Sequence, residues 1–317
     1  MAGEFRLIML SAMYENGGNT THRLLDGHPQ LLVYPFESQL GTQLVRDPLV
    51  SLFPAKYRWP VFDLCGDPAS DYDAIIDEEC KVRTKTPHVS KFRDAPMELS
   101  DPERKKHFLT HLTSGVRNRG RIVEAFFRAT FDAWKDAKRS GRETVHVGYS
   151  PIVIVDALKI IQDLPESHVL HVVRNPWSAY ADTKKRPVPL PLEHYMTSWT
   201  VCQYFAILHR ELDPRRVHLL RYEDIIENPQ ATLGAFLKKV GLEPSQSLAT
   251  ASWNGTALEN ISPWGTIRIP TPKGNRETAM ELDLAEREDI GRRAGPYLRE
   301  FGYERFVETY PSRPPGS

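Results

Sequence analysis

The chain has 317 residues, 40% of them hydrophobic and 26% charged, with 41 basic and 41 acidic side chains that give a formal net charge of zero. This composition belongs to a folded globular protein and excludes a disordered or collagen-like chain. The charge balance also excludes a globally basic binder of nucleic acid or anionic membrane, so any anion site must be local.

No run reaches transmembrane length, and Glu4 and Arg6 ahead of a short apolar stretch lack the layout of a signal peptide. A cytoplasmic protein with no nucleic-acid or membrane partner is expected. Arg6 to Ser11 is an apolar run suited to a buried strand. It leads into Tyr14-Glu15-Asn16-Gly17-Gly18-Asn19-Thr20-Thr21, where two adjacent glycines free the backbone to curl and Asn19, Thr20 and Thr21 can cap a helix. Gly27 and Pro29 end that helix. Backbone N–H groups converging on a helix N-terminus bind phosphate or sulfate without a cationic side chain. An ordinary βα connection is built the same way, and the segment holds neither G-x-x-x-x-G-K-[ST] nor G-x-G-x-x-G.

Leu31 to Tyr34 reads as a second buried strand, with Glu37 just past its end, where open α/β sheets place ligands. From about Asp47 to Arg142 the character changes: acidic Asp67 to Glu79 precedes basic Lys81 to Lys91, and two helical patterns follow. In the second, Ile122, Val123, Phe126, Phe127, Thr130, Phe131 and Trp134 recur at helical spacing and read as core. Val145 to Gly148 is a strand leading to Ser150-Pro151 and a helix through Val155, Leu158 and Ile161. His168 to Val173 is a strand delivering Arg174, after which Asn175 as cap and Pro176 at the first helical position open a helix to Lys185. Val217 to Tyr222 is another strand, and Asn228-Pro229 opens a helix closed by Gly241. Cys65, Cys80 and Cys202 are widely spaced, which favours buried free thiols over a disulfide framework or a metal site. Strands alternating with helices predict an α/β fold whose central parallel sheet is covered on both faces.

Thr20-Thr21 with Leu24-Leu25-Asp26-Gly27-His28-Pro29, then His171-Val172-Val173-Arg174-Asn175-Pro176, then Leu220-Arg221-Tyr222-Glu223-Asp224 with Asn228-Pro229 and Phe236-Leu237, resemble in order and spacing the sulfotransferases. The likeness covers residues 6–40 and 144–242, and Phe301-Gly302-Tyr303 is similar to the family's usual ending. It implies a P-loop-NTPase-like domain over residues 1–305, with 47–142 as a largely helical insertion or acceptor-binding region and 306–317 as a flexible tail. It further implies 3′-phosphoadenosine 5′-phosphosulfate (PAPS) as sulfonyl donor, no metal, and a small-molecule or carbohydrate hydroxyl as acceptor. A homodimer is left open. Gly17, Gly18, Asn19, Thr20 and Thr21 would cradle the 5′-phosphosulfate, and Arg174 would pair with the 3′-phosphate. Arg268 and Lys273 would cover the donor, unless they are solvated loop charges. Glu37 is the first choice of general base, because protein-tyrosine sulfotransferases carry a catalytic glutamate after the second strand. His88 in Lys85-Thr86-Pro87-His88, loosely similar to the Lys-Thr-His of cytosolic members, is the second.

Three positions depart from the family pattern. Gly17 stands where an Arg or Lys neutralises charge on the leaving group. Asp182 stands where a Ser follows the Arg, its carboxylate repelling a 3′-phosphate unless it points away, with Ser178 or Thr183 as substitutes. Tyr149 replaces a Lys before Ser150-Pro151. His22, Arg23, Lys85 and Lys273 are candidates for the missing cation. Without one, the alternative is a sulfotransferase-fold nucleotide-binding protein that lacks sulfonyl transfer or has altered group-transfer chemistry. Phosphoryl transfer has neither a P-loop Lys nor a metal-binding carboxylate set to support it.

Overall fold

Five short apolar runs, β1 (Leu7–Ser11), β2 (Leu31–Val33), β3 (Val145–Tyr149), β4 (Ser167–Val173) and β5 (Val217–Arg221), pair in parallel in the order β2-β3-β1-β4-β5 in the computed structural model, which describes residues 4–258 and 270–307. β1 lies at the centre with every residue buried, Ile8 opposite Val147 on one side and His168 on the other. A strand covered on both faces needs a continuous apolar run rather than alternation, which is what Leu7-Ile8-Met9-Leu10 provides. Its side chains divide between two cores. Leu7 and Met9 join one with Phe126, Trp199 and Ile290, whereas Ile8 and Leu10 join the other with Leu24, Leu233 and Phe236.

The helices supply those two covers. α1 (Gly18–Leu25) follows β1, and residues 47–142 hold α2 (Pro68–Ala74), α3 (Glu78–Lys85), α4 (Asp101–Leu112) and α5 (Arg119–Ala133). α6 (Ala157–Asp163) joins β3 to β4, while α7 (Pro176–Lys184) and α8 (Leu192–Leu212) join β4 to β5. α9 (Tyr222–Glu227), α10 (Pro229–Lys239), α11 (Pro272–Ala279) and α12 (Leu284–Glu300) follow. Between β3 and β4 the chain passes from one side of β1 to the other, so the crevice beyond the C-terminal ends of β1, β3 and β4 is where an open sheet of this kind receives a ligand.

Both Asn-Pro signals act as read: Asn175 accepts from Ser178 N at 2.9 Å and Asn228 from Ala231 N at 3.0 Å. The first helix differs. Its cap is Gly17 in the left-handed region (φ +86°), with no side-chain cap bond, so Asn19, Thr20 and Thr21 lie inside the first turn. Before α6 the chain forms a 3-10 turn at Val153–Asp156, and the helix after β5 already starts at Tyr222. α3 straddles the switch from acidic to basic composition, placing Glu78 and Glu79 at its N-terminus and Arg83 and Lys85 at its C-terminus, in accord with the helix dipole. Cys80 and Cys202 are buried free thiols, but Cys65 is exposed. Among the described residues no helix is long and apolar enough to cross a membrane.

Residues 47–142 are tied to the sheet layer by a buried ion pair. Arg58 donates from Nε and Nη2 to Asp156 at 2.7 and 3.0 Å, and from Nη1 and Nη2 to Asp47 at 2.9 and 2.8 Å. Burial opposes ionisation of Asp156, but Arg58 holds its carboxyl below the usual range. Removing one member of such a pair leaves a buried charge without its partner. Asp156→Ala is therefore expected to lose about 3–5 kcal/mol in urea denaturation; a loss below about 1 kcal/mol would show that Asp47 alone satisfies Arg58.

Candidate functional site

The C-terminal edge of the sheet gathers most of the chemistry. Beyond β1 the chain turns through Tyr14 to Gly17 with Glu15 and Gly17 both at positive φ, +59° and +86°. The buried Asn16 fixes the turn from three directions: Nδ2 donates to Tyr14 O at 2.9 Å and to Tyr195 Oη at 3.2 Å, while Oδ1 accepts from Arg174 N at 3.0 Å. A Cβ at Gly17 would run into the Tyr222 ring, and one at Gly18 into the Tyr149 hydroxyl. Both glycines thus make room for tyrosine rings. The Tyr222 ring occupies the space into which a side chain at position 17 would project.

At the start of α1 the first N–H groups have no intrahelical partner. Thr20 Oγ1 is buried there beside the Tyr222 phenol, whose ionisation its hydrogen bonding favours. Thr21 is different: its N–H and its hydroxyl both donate to Gly17 O at 2.9 Å, so it closes the turn rather than facing outward. Asn19 is half-buried.

Arg174 leaves the end of β4 almost wholly buried. Nε donates to Asn275 Oδ1 at 2.7 Å, and Nη1 to Glu15 O at 2.9 Å and to Asp182 Oδ2 at 2.8 Å, with the guanidinium 5.2 Å from the Tyr222 ring centroid. Burial works against its charge, but Asp182 and the Tyr222 phenol more than offset that. The Asp182 carboxylate therefore does not point away; it neutralises Arg174 and also accepts from Lys185 at 3.0 Å. Nη2 of Arg174 carries no hydrogen bond among the described residues. Ser178 is buried, its hydroxyl donating to Asn275 O at 2.6 Å, and Thr183 donates to Ala179 O within its own helix. Lys273 projects from the exposed start of α11, 3.7 Å from Glu277, and Arg268 lies outside the described residues.

Glu223, at the start of α9, joins its own segment to three others. Oε1 accepts from Asn175 N at 3.2 Å, Asn175 Nδ2 at 2.8 Å and Asn275 Nδ2 at 3.0 Å, and Oε2 accepts from Tyr303 Oη at 2.6 Å. The Phe301-Gly302-Tyr303 ending is thereby bonded to the Arg174-Asn175-Pro176 turn.

Glu37 sits half-buried beyond β2. Its carboxyl is pushed up to about 7, first by burial and then by the Glu79 charge, which Lys91 and a hydrogen bond from Gln39 only partly counter. Glu79 reaches back from α3: Oε2 accepts from Glu37 N at 3.2 Å, and Oε1 pairs with Lys91 Nζ at 2.5 Å. Tyr14, Tyr57 and Tyr149 feel the Glu37 charge, and burial raises each phenol above its ordinary range, so all three remain protonated. His88 is exposed in a 3-10 turn, Pro87–Val89, with no hydrogen bond among the described residues. Glu79, Lys91, Tyr57 and Asn275 carried no sequence signal as site residues; the first two looked like members of charged blocks. Among the described residues no group of three or more His, Cys, Asp or Glu could hold a metal ion.

Residues 17–246 match the model of the sulfotransferase family. No curated protein sequence matches. Among solved structures, the sulfotransferase domain from the Synechococcus PCC 7002 olefin synthase is similar at a TM-score of 0.54 and 14% identity, over 96% of this chain and 97% of that one. The sulfotransferase domain from the curacin biosynthetic pathway is similar at 0.51 and 14%, over 96% and 99%. At such identity these two likenesses speak to the fold.

The raised carboxyl of Glu37 has a consequence for stability. Below about pH 4.5 the group is protonated whether the chain is folded or unfolded; above that the unfolded chain ionises first, and the cost to the fold is complete only above about 7. Glu37→Gln is expected to raise Tm at pH 8 and to leave it nearly unchanged at pH 4.5. An equal shift at both pH values in calorimetry would refute the assignment.

Proposed function

The chain belongs to the sulfotransferase family, and from that premise we propose that it transfers a sulfonyl group from PAPS to a hydroxyl of a small molecule or carbohydrate, with Glu37 as general base. The observation that carries this reading is the Glu37 carboxyl, raised to about 7 at the C-terminal edge of the sheet. A base poised near the working pH combines the ionised form with useful proton affinity.

The residues fit an anionic nucleotide. Gly18, Asn19 and Thr20 offer the N–H groups of the first turn of α1, and the buried Thr20 hydroxyl stands beside them. Arg174 offers Nη2 to the 3′-phosphate, its remaining donors holding it rigid. When bound, PAPS supplies an activated sulfur that bonds to the acceptor oxygen as its bond to the 5′-phosphate oxygen breaks. The chain's task on the acceptor side is to remove the hydroxyl proton to Glu37 and to exclude water. Tyr14, Tyr57 and Tyr149, staying neutral, line that side with apolar rings and O–H donors. Lys91 shares its charge between Glu79 and Glu37 and limits how far the base is raised.

A second reading, nucleotide binding without transfer, is favoured by the Tyr222 ring filling the space at Gly17. Sulfur-labelled PAPS and a panel of hydroxyl acceptors separate the two. The expected result is labelled product, with kcat/KM rising through about pH 7 and kcat falling by roughly 10²- to 10⁴-fold in Glu37→Gln. Binding of adenosine 3′,5′-bisphosphate (PAP) without product on any acceptor supports the second reading, and unchanged turnover in the variant removes Glu37 as base.

A further inference from the structure

The cation missing at Gly17 is not supplied by any candidate the sequence offers. Arg23 is fully buried against the Trp253 ring, with its guanidinium on Tyr34 O, and His22 is buried and held neutral, first by burial and then by Arg23. Lys85 pairs with Asp101 at 3.3 Å, and Lys273 stands exposed near Glu277.

Resting on the sulfotransferase reading, we propose that Arg186, two residues past the end of α7, binds the 5′-phosphate end of the nucleotide and supplies the charge that the loop lacks. Three neighbours locate its guanidinium. Cζ lies 5.1 Å from the Tyr14 ring centroid, and Nε lies 3.9 Å from Glu15 Oε1, the two residues that lead into the loop glycines. It also acts electrostatically on the Tyr149 phenol, whose hydroxyl rests against Gly18 at the first position of α1. Lys91, the partner of Glu79, feels the same charge. The guanidinium thus sits on the loop that leads into α1, and its charge reaches both the Tyr149 phenol beside Gly18 and the Lys91 of the Glu37 cluster.

What distinguishes Arg186 from Arg174 is availability. At 3.9 Å the Glu15 contact is a charge pairing beyond hydrogen-bond distance, and the guanidinium of Arg186 makes no hydrogen bond among the described residues. Its side chain is 34% exposed, so it is held on the Tyr14 ring yet remains open to a ligand. A planar fork of five donors suits a phosphate, and a guanidinium stacked on a phenol is pre-oriented for it. The Arg reaches the loop from outside, so it does not need the space that Tyr222 fills.

The test is calorimetric binding of two nucleotides, PAP and adenosine 3′-phosphate, which lacks the 5′-phosphate. Arg186→Ala is expected to weaken PAP by roughly 10- to 100-fold and to leave adenosine 3′-phosphate unchanged, with Arg186→Lys recovering part of the loss. If the Ala variant is unfolded by circular dichroism, Arg186→Gln, which keeps the stem on Tyr14, is measured in its place. PAP affinity equal to wild type, or equal losses for both nucleotides, overturns the assignment of Arg186 alone. Wild-type protein that binds neither nucleotide overturns the donor reading and this inference with it.

Discussion

The carboxylate of Glu223 is the constraint on which the site's geometry depends. It satisfies the turn after β4, the α11 side chain and Tyr303 at once, and it does so at the C-terminal edge of the sheet. Charge-assisted bonds of this kind are stronger than neutral ones, and each donor would be orphaned without the acceptor. Their effect falls on Arg174. Its backbone is held by Asn16 and its Nε by Asn275, and Asn275 is itself held by Glu223. The guanidinium has little freedom left to lose when an anion arrives, which is the sense in which the site is preorganised.

Such a cage brings a conflict that the structure resolves through Asp182. A fully buried guanidinium needs a counter-charge, and Asp182 supplies one at 2.8 Å. Read as a residue on a helix, Asp182 looks hostile to phosphate; read as the partner of Arg174, it is what lets the cation stay buried and charged before a ligand is present. Lys185 on its second oxygen leaves the trio with a net positive charge.

The fold was legible because its signals are local. Apolar runs bounded by turn residues located all five strands, and Asn175-Pro176 and Asn228-Pro229 located two helix starts to the residue. Glu37 stood out because a carboxylate just past a strand end lies where open α/β sheets place ligands, and because its place resembles that of a glutamate in protein-tyrosine sulfotransferases. Long-range pairing was not legible. Gly17 and Gly18 read as freedom for the backbone to curl, yet the Tyr222 and Tyr149 rings that require them lie more than a hundred residues away. Arg23 read as a cation near the loop, but one turn of helix carries it under Trp253. Glu79 and Lys91 read only as the ends of an acidic and a basic block; the folded chain brings them to Glu37.

The two halves of the site have different origins, and that difference bears on what can vary. The proposed anion side is built from the sheet's own loops: Gly17 to Thr20 follow β1, and Arg174 and Glu223, at the ends of β4 and β5, are linked through Asn275. On the proposed acceptor side Glu37, Tyr14 and Tyr149 come from the sheet and its loops, while Tyr57, Glu79 and Lys91 come from residues 47–142. Arg58 and Asp156 fasten that segment to the sheet layer immediately beside Tyr57, and Trp59 and Arg119 add bonds to Asp163. Substitutions within it can therefore reshape the surroundings of Glu37, and through Glu79 its proton affinity, without disturbing the hydrogen bonds that hold Arg174.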